Sequence, residues 1–178
     1  MRLFIAFDVP EEVSESLFAV QKALDFDGKS TKPKEFHLTL KFFGEVDEEK
    51  LSILIDGLSG ITFKSFEAQL SEVGVFPDKN DPKVVWAGLR PHDAICVLQQ
   101  QVDTAMQKLG FEPDKRFHPH LTLARIKFIK DKAEFSEMLD SLKLEPLKFT
   151  VGSLKLFKST LTPEGPVYDV LREFSAQQ

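Results

Sequence analysis

The apolar residues of the chain recur with two different spacings, which predict strands and helices in alternation. A first strand is predicted from Arg2 to about Val9. Pro10 then favours the start of a helix, which ends before Asp27-Gly28. A lysine-rich loop follows, and the next strand is predicted from His37 to Phe43.

The first half of the chain continues in the same way and ends in strands. Asp47 is a favourable N-cap for a second helix. The pattern then predicts two separate strands, over 62–70 and 73–76, before a turn-rich segment that begins at Pro77.

The order of elements then begins again. The second half predicts a strand, a helix, a strand, a helix and two further strands, over 84–89, 95–109, 120–128, 135–142, 148–158 and 166–174. The two halves, about 1–76 and 84–174, therefore form an internal pseudo-repeat. Strands with helices between them indicate α+β layers, each lobe a sheet backed by helices.

Length and composition limit the class of protein. The 178 residues fit one domain, spanning 1–178, or two small lobes that share a core. No apolar run approaches the roughly 20 residues that span a bilayer, and the opening run is too short for a secretory signal. The single cysteine, Cys96, excludes an intrachain disulfide. We therefore expect a cytoplasmic monomer with no membrane partner.

One tetrapeptide occurs twice. His-Leu-Thr-Leu stands at residues 37–40 and again at 120–123, and it contains two of the four histidines in the chain. In a strand, residues i and i+2 point to the same face, so each copy presents an imidazole beside a hydroxyl. If the two halves face each other across a cleft, these four side chains meet.

The basic residues gather around the two copies. Residues 29–41 contain four lysines and one acid, and residues 115–132 contain six basic residues and one acid. The net charge of −5 argues against a protein coated in nucleic acid. A local anion site on an acidic body fits this distribution, and solvated loop lysines are the alternative.

Paired imidazoles and hydroxyls suit proton transfer around a phosphate. Histidine titrates near neutrality, so one ring can accept a proton while its partner donates one. Attack of water on phosphorus needs a base on the entering side and an acid on the leaving side. Threonine hydroxyls and nearby cations stabilise the phosphate oxygens. This arrangement requires no metal and no other cofactor.

Two other interpretations fit parts of the pattern. His118 and His120 lie at i and i+2, and with His37 they would form a three-nitrogen metal site. Pro119, which bends the strand, and the surplus of cations disfavour that site. His118 then becomes a supporting or exposed residue, and His92 falls in the loop or first turn before a helix. A non-catalytic module that binds RNA ends or nucleotides is the alternative outside enzymes.

The paired His-x-Thr motifs resemble those of the 2H phosphoesterase superfamily. The chain is most similar to the RNA 2′,3′-cyclic phosphodiesterases, once called 2′-5′ RNA ligases (the ThpR/LigT group), from residue 1 to about 168. The matching segments are MRLFIAFDVP, HLTLKFFGEV, GVFP, VVWAGL, HPHLTLARIKF and KSTLTPEGPVY. The resemblance implies a LigT-like α+β fold. Two pseudo-symmetric lobes, each a mainly antiparallel sheet backed by helices, would surround a basic central cleft.

The resemblance also implies a reaction and the residues that perform it. The expected activity is metal-free hydrolysis of an RNA 2′,3′-cyclic phosphate to a 2′-phosphomonoester, with 2′-5′ RNA ligation as an alternative. His37 would donate a proton to the departing 3′ oxygen, and His120 would be the base that activates water. The residues expected at the phosphate are Thr39, Lys41, Thr122 and Arg125.

Strand alternation treats the two cations at the phosphate differently. Lys41, four residues after His37, falls on the same face as the motif. Arg125, five residues after His120, needs a strand end or a bulge to turn its side chain inward. The expected substrates are RNA ends, such as tRNA fragments, or small cyclic nucleotides. Candidates for stacking on a base are Phe42, Phe43, Phe76, Trp86 and Tyr168.

Overall fold

A computed structural model describes residues 1–163 and 165–177, and it confirms the α+β class. The described residues form nine strands and four α-helices: β1 (Arg2–Asp8), α1 (Glu11–Ala23), β2 (Gly28–Thr31), β3 (His37–Glu45), α2 (Leu51–Ser59), β4 (Phe66–Phe76), β5 (Val84–Arg90), α3 (His92–Gln107), β6 (His120–Ile129), α4 (Lys132–Ser141), β7 (Lys148–Val151), β8 (Ser153–Thr162) and β9 (Gly165–Ser175).

The strands form two antiparallel sheets. The strand order is β3-β1-β8-β9 in the first sheet and β2-β6-β5-β4-β7 in the second. The two strands that carry the repeated motif, β3 and β6, each pair with the first strand of their predicted half, β1 and β5. The motifs therefore occupy matching positions in different sheets.

The sheets do not coincide with the halves of the sequence. β2 and β4 come from the first half but join the second sheet, whereas β8 and β9 come from the second half and join the first sheet. Neither of the segments 1–76 and 84–174 therefore forms its sheet alone. Each lobe is thus an antiparallel sheet that contains strands from both halves of the sequence, and the pseudo-repeat itself stays a prediction.

Several local predictions also differ from the structure. The loop before His37 contains β2, a polar edge strand that apolar periodicity does not detect. The strands predicted over 62–70 and 73–76 are one strand, β4, with an irregularity at Ser71 and Glu72. The strand predicted over 148–158 is divided at Gly152 into β7 and β8. Asp47 precedes a 3-10 turn and makes no side-chain cap.

The apolar core lies between the helices and one face of each sheet. The apolar residues that recur at helical spacing, the helical stripes, are buried in it. They include Val13, Leu17 and Val20 on α1 and Ile95, Leu98, Val102 and Met106 on α3. A second, smaller cluster of Phe4, Ala6 and Phe157 covers the opposite face of the first sheet. In the described part of the chain, no helix combines the length and the apolar character needed to cross a membrane.

Candidate active site

One cavity, with a volume of about 270 Å³, is lined by residues of both sheets. His37 and His120 are the first residues of β3 and β6, and both line this cavity. Thr39, Thr122 and Arg125 line it as well. The structure thus brings the two motifs together in one space that is large enough for a small ligand.

A β-bulge in β6 turns Arg125 into the cavity. β5 pairs with residue 122 and then with residue 124, so Leu123 has no partner in the ladder. The extra residue reverses the alternation of the side chains that follow it. The sequence predicted that Arg125, five residues after His120, needs a strand end or a bulge to turn its side chain inward. The structure contains this bulge, and Arg125 lines the cavity.

An equivalent bulge in β3 turns the Lys41 ammonium away from the cavity. This contradicts the prediction that Lys41 binds the phosphate. β1 pairs with Thr39 and then with Lys41, so Leu40 is the extra residue. Lys41 borders the cavity, but its side chain turns toward the core and is 4% exposed. Its Nζ donates hydrogen bonds to Asp103 Oδ1 at 2.5 Å and to the Glu112 carbonyl at 2.7 Å.

A buried glutamine holds the bulge in β6. The Gln21 side chain on α1 donates hydrogen bonds from Nε2 to the carbonyls of Leu123 and Pro33, both at 3.0 Å. A buried carbonyl without a donor is unfavourable, and a bulge takes such a group out of the strand ladder. Gln21 therefore fixes the segment that aims Arg125, and it also holds the loop that forms one rim of the cavity.

His120 has the hydrogen bond expected of a general base. Its Nδ1 donates to the His118 carbonyl at 2.8 Å, because a carbonyl oxygen can only accept. In the neutral ring the proton is then on Nδ1, and Nε2 carries the lone pair that accepts a proton. Burial lowers the pKa of His120, which favours the neutral ring.

The sequence left His118 as a supporting or an exposed residue, and in the structure its carbonyl and its ring lie beside His120. Its ring lies 4.9 Å from Trp86 and 5.4 Å from Phe76, measured between ring centroids. Phe76 also contacts the His120 ring at 5.1 Å. This packing fixes the segment whose carbonyl orients His120. Within the described residues, no group of three or more His, Cys, Asp or Glu side chains is placed to hold a metal ion.

His37 is largely buried against an aromatic surface of the first sheet. Its ring centroid lies 4.9 Å from that of Phe4 and 5.0 Å from that of Tyr168. Burial, and to a smaller extent the charge of Arg125, lower the pKa of His37 from 6.5 to about 4, while Asp8 acts in the opposite direction. The surroundings thus disfavour the charged form of this imidazole, and a bound anion would reverse that preference.

The positive charge of the cavity comes from fewer residues than the sequence predicted. Among the basic residues counted around the motifs, those that line the cavity are Lys32, Lys41, Arg116 and Arg125. Lys32 Nζ is bound to the carbonyls of Gln21 and Leu24 at the end of α1. Because Lys41 is paired with Asp103 in the core, the cavity-lining cations without a carboxylate partner among the described residues are Lys32, Arg116 and Arg125.

Two of the five aromatic residues expected to stack on a base line the cavity. They are Phe42, which is 58% exposed, and Tyr168. Phe43 belongs to the buried core, so its proposed stacking role is wrong. Trp86 is also buried, and its ring packs against Phe76 with 5.0 Å between the centroids.

Sequence reasoning missed the parts of the cavity wall outside the two motif strands. They are Thr31 on β2, Arg116 and Phe117 before β6, and Pro166 on β9. β2 and β9 reach the cavity only through pairing with distant strands, β6 and β8. Arg116 carried a signal, because it belongs to the second basic cluster.

The sequence matches the model of a protein family twice. The family is described as LigT like Phosphoesterase, and the matches cover residues 7–86 and 89–168, each with one copy of the motif. The chain belongs to the LigT-like phosphoesterase family. The resemblance inferred from the paired motifs is thereby confirmed, together with the LigT-like fold and the expectation of an enzyme of this class.

Individual proteins agree with this membership. A protein of Methanocaldococcus jannaschii named RNA 2′,3′-cyclic phosphodiesterase is 34% identical to this LigT-like chain over 176 residues, covering 98% of this chain and 100% of the relative. The crystal structure of TT0787 of Thermus thermophilus has a TM-score of 0.83 and 32% identity, with 98% and 97% covered. The crystal structure of E. coli LigT complexed with 3′-AMP has a TM-score of 0.79 and 25% identity, with 99% and 98% covered.

Proposed function

We propose that this LigT-like phosphoesterase hydrolyses RNA 2′,3′-cyclic phosphate ends to 2′-phosphomonoesters, by acid and base catalysis with two histidines and without a metal. The observation that carries the proposal is the meeting of His37 and His120 in one cavity, although 83 residues separate them in the sequence. The name of the M. jannaschii relative supports the choice of substrate.

In the proposed reaction, His120 Nε2 accepts a proton from water as the water oxygen bonds to phosphorus. The bond between phosphorus and the 3′ oxygen breaks, and His37 donates a proton to that oxygen. The phosphate stays on the 2′ oxygen, and a 3′-hydroxyl is released. Each proton transfer of this kind contributes roughly 10²–10⁴-fold to the rate.

Substrate binding would give His37 the proton that it donates. With a pKa of about 4, His37 is neutral at pH 7 before an anion enters. A cyclic phosphate diester carries one negative charge, which favours an imidazolium beside it. Because the charge of His120 lowers the pKa of His37, the pair takes up one proton more readily than two. In the proposed mechanism that proton lies on His37, while the hydrogen bond from Nδ1 of His120 keeps the lone pair of its neutral ring on Nε2.

The remaining cavity residues would bind the phosphate and the terminal nucleotide. Thr39 and Thr122 donate hydrogen bonds to the non-bridging oxygens, and Arg125 stabilises the charge that develops on them. Phe42 and Tyr168 offer aromatic surface to the terminal base. The natural RNA, the monomeric state and the cytoplasmic location stay predictions.

Product analysis tests the proposal. A short RNA with a 2′,3′-cyclic phosphate end is incubated with the protein, with and without a chelator, and the products are compared with 2′- and 3′-phosphate standards by ³¹P NMR. We expect the 2′-phosphate in both samples. Intact substrate, a 3′-phosphate product or activity abolished by the chelator would overturn the proposal.

Histidine variants separate the enzyme from a non-catalytic binding module. His37→Gln and His120→Gln should lose turnover and keep RNA binding, because each removes a proton-transfer group. Lys143→Gln, at an exposed residue that does not line the cavity, is the control and should retain turnover. A binding module would instead show weaker binding in the cavity variants and no reaction in the wild type. A joined RNA product in the presence of 5′-hydroxyl RNA would indicate ligation.

A further inference from the structure

The cavity face of the second sheet continues beyond the cavity along β2 and β6. Thr31 and Arg125, which both line the cavity, lie directly opposite each other in this pair of strands. Lys29 is two residues before Thr31, so it points to the same face. Phe128 is paired with Lys29 and shares that face. A cation and an aromatic ring thus follow Arg125 in a line that leads away from the two histidines.

Phe128 and its neighbours have the composition of a single-strand binding surface. The Phe128 side chain is 58% exposed, and Lys29 beside it is exposed as well. Lys127, the residue without a partner in the ladder with β2, is a second exposed cation. In single-strand recognition, an exposed ring stacks on a base while nearby cations neutralise the backbone.

The cations of this surface are not neutralised by the protein. Among the described residues, three of them have no carboxylate within ion-pair distance: Lys29, Arg125 and Lys127. Asp27, at the end of the same strands, is bound to Lys130 at 2.7 Å. The Asp131 side chain accepts hydrogen bonds from the first N–H groups of α4. Since like charges on neighbouring strands repel each other, a bound polyanion would stabilise this group.

We propose that Lys29 and Phe128 form a second subsite, which binds the nucleotide on the 5′ side of the terminal one in single-stranded RNA. The proposal rests on the proposed function, because it takes the terminal cyclic phosphate to lie between the two histidines. Phe128 stacks on the base, and Lys29 binds the backbone phosphate. On the other side of the cavity, β9 carries both signs of charge, in Asp169, Arg172 and Glu173, whereas Lys29 and Lys127 lie together on the side of β2 and β6.

Substrate length tests this subsite. A 2′,3′-cyclic mononucleotide ends at the cavity, whereas a hexanucleotide with a 2′,3′-cyclic phosphate reaches β2 and β6. We expect Phe128→Ala and Lys29→Glu each to lower kcat/KM for the hexanucleotide about tenfold, within the range for the loss of one stacked base. Both variants should act on the cyclic mononucleotide within about twofold of the wild type. Added salt should reduce the hexanucleotide preference less in Lys29→Glu than in the wild type.

Matched controls and a binding measurement keep the test decisive. Lys143→Glu and Val97→Ala change exposed residues elsewhere and should affect neither substrate. Equal losses on both substrates, or a wild type without preference for the hexanucleotide, would overturn the subsite. If the wild type hydrolyses neither substrate, the proposed function fails. In that case, fluorescence anisotropy with a labelled hexanucleotide decides: about tenfold weaker binding by both variants supports the subsite, and unchanged binding overturns it.

Discussion

Removing one partner of the buried ion pair between Lys41 and Asp103 is predicted to destabilise the fold, and the substitution Lys41→Met tests this. Methionine retains most of the apolar bulk of lysine and removes the charge. The two side chains are 4% and 9% exposed, so Asp103 would keep its negative charge in the core. Its remaining donors would be Gln107 Nε2 at 3.1 Å and the Asp114 N–H at 3.1 Å.

The expected loss follows from the burial of this pair. Removing one partner of a buried ion pair lowers the free energy of unfolding by about 3–5 kcal/mol. Because two donors remain on Asp103, we expect the lower end, about 3 kcal/mol, which lowers Tm by roughly 6–12 °C in a chain of this length. The double substitution Lys41→Met with Asp103→Leu removes both charges and should recover most of the loss.

Urea unfolding at pH 7, followed by circular dichroism, measures these changes. The control is Lys50→Met, since the pair between Lys50 and Asp47 is 3.4 Å long with side chains 68% and 78% exposed. We expect that control to change the free energy of unfolding by less than about 1 kcal/mol. A Lys41→Met protein within about 1 kcal/mol of the wild type, or a double variant no more stable than the single one, would refute the reasoning.

Three further predictions concern the site. The pKa of His37 is 6.5 in an unfolded chain and about 4 in the folded protein, so between these pH values the unfolded chain binds more protons. The wild type should therefore lose about 3 kcal/mol of stability relative to His37→Gln as the pH falls through this window. Parallel stability curves for the two proteins would exclude this. Gln21→Met leaves the buried carbonyl of Leu123 and the partly buried carbonyl of Pro33 without their donor. It should lower the free energy of unfolding by about 1–3 kcal/mol, which an unchanged urea midpoint would contradict. Arg125→Gln removes a cation that lowers the pKa of His37 and His120, so both should titrate at higher pH by NMR. Unchanged titration midpoints would show that Arg125 does not act on them.

The positions of His37 and His120 could be predicted from the sequence because their signal is local. A repeated tetrapeptide in a strand context specifies which side chains share a face. The helical stripes on α1 and α3 were predictable for the same reason, since periodicity depends only on nearby residues.

Strand alternation alone could not predict whether the side chains of Lys41 and Arg125 point into the cavity. Each copy of the tetrapeptide ends in an unpaired leucine, Leu40 in β3 and Leu123 in β6, and nothing in the local pattern distinguishes a bulge from a regular strand. The bulge in β6 depends on Gln21, a residue of α1 that is 102 positions from Leu123. The exchange of strands between the two sheets likewise depends on contacts between distant segments, which short-range spacing does not report.

The pH dependence of catalysis tests the central claim, that two histidines transfer protons at one phosphate, most directly. The measurement is kcat at saturating 2′,3′-cyclic phosphate RNA, which reports the groups of the substrate complex, from pH 4 to 9 for the wild type, His37→Gln and His120→Gln, all with chelator present. We predict a bell-shaped profile for the wild type, and a residual activity at least a hundredfold lower in each variant, with one limb of the bell lost. Wild-type activity in either variant, or an unchanged bell in both, would contradict the account.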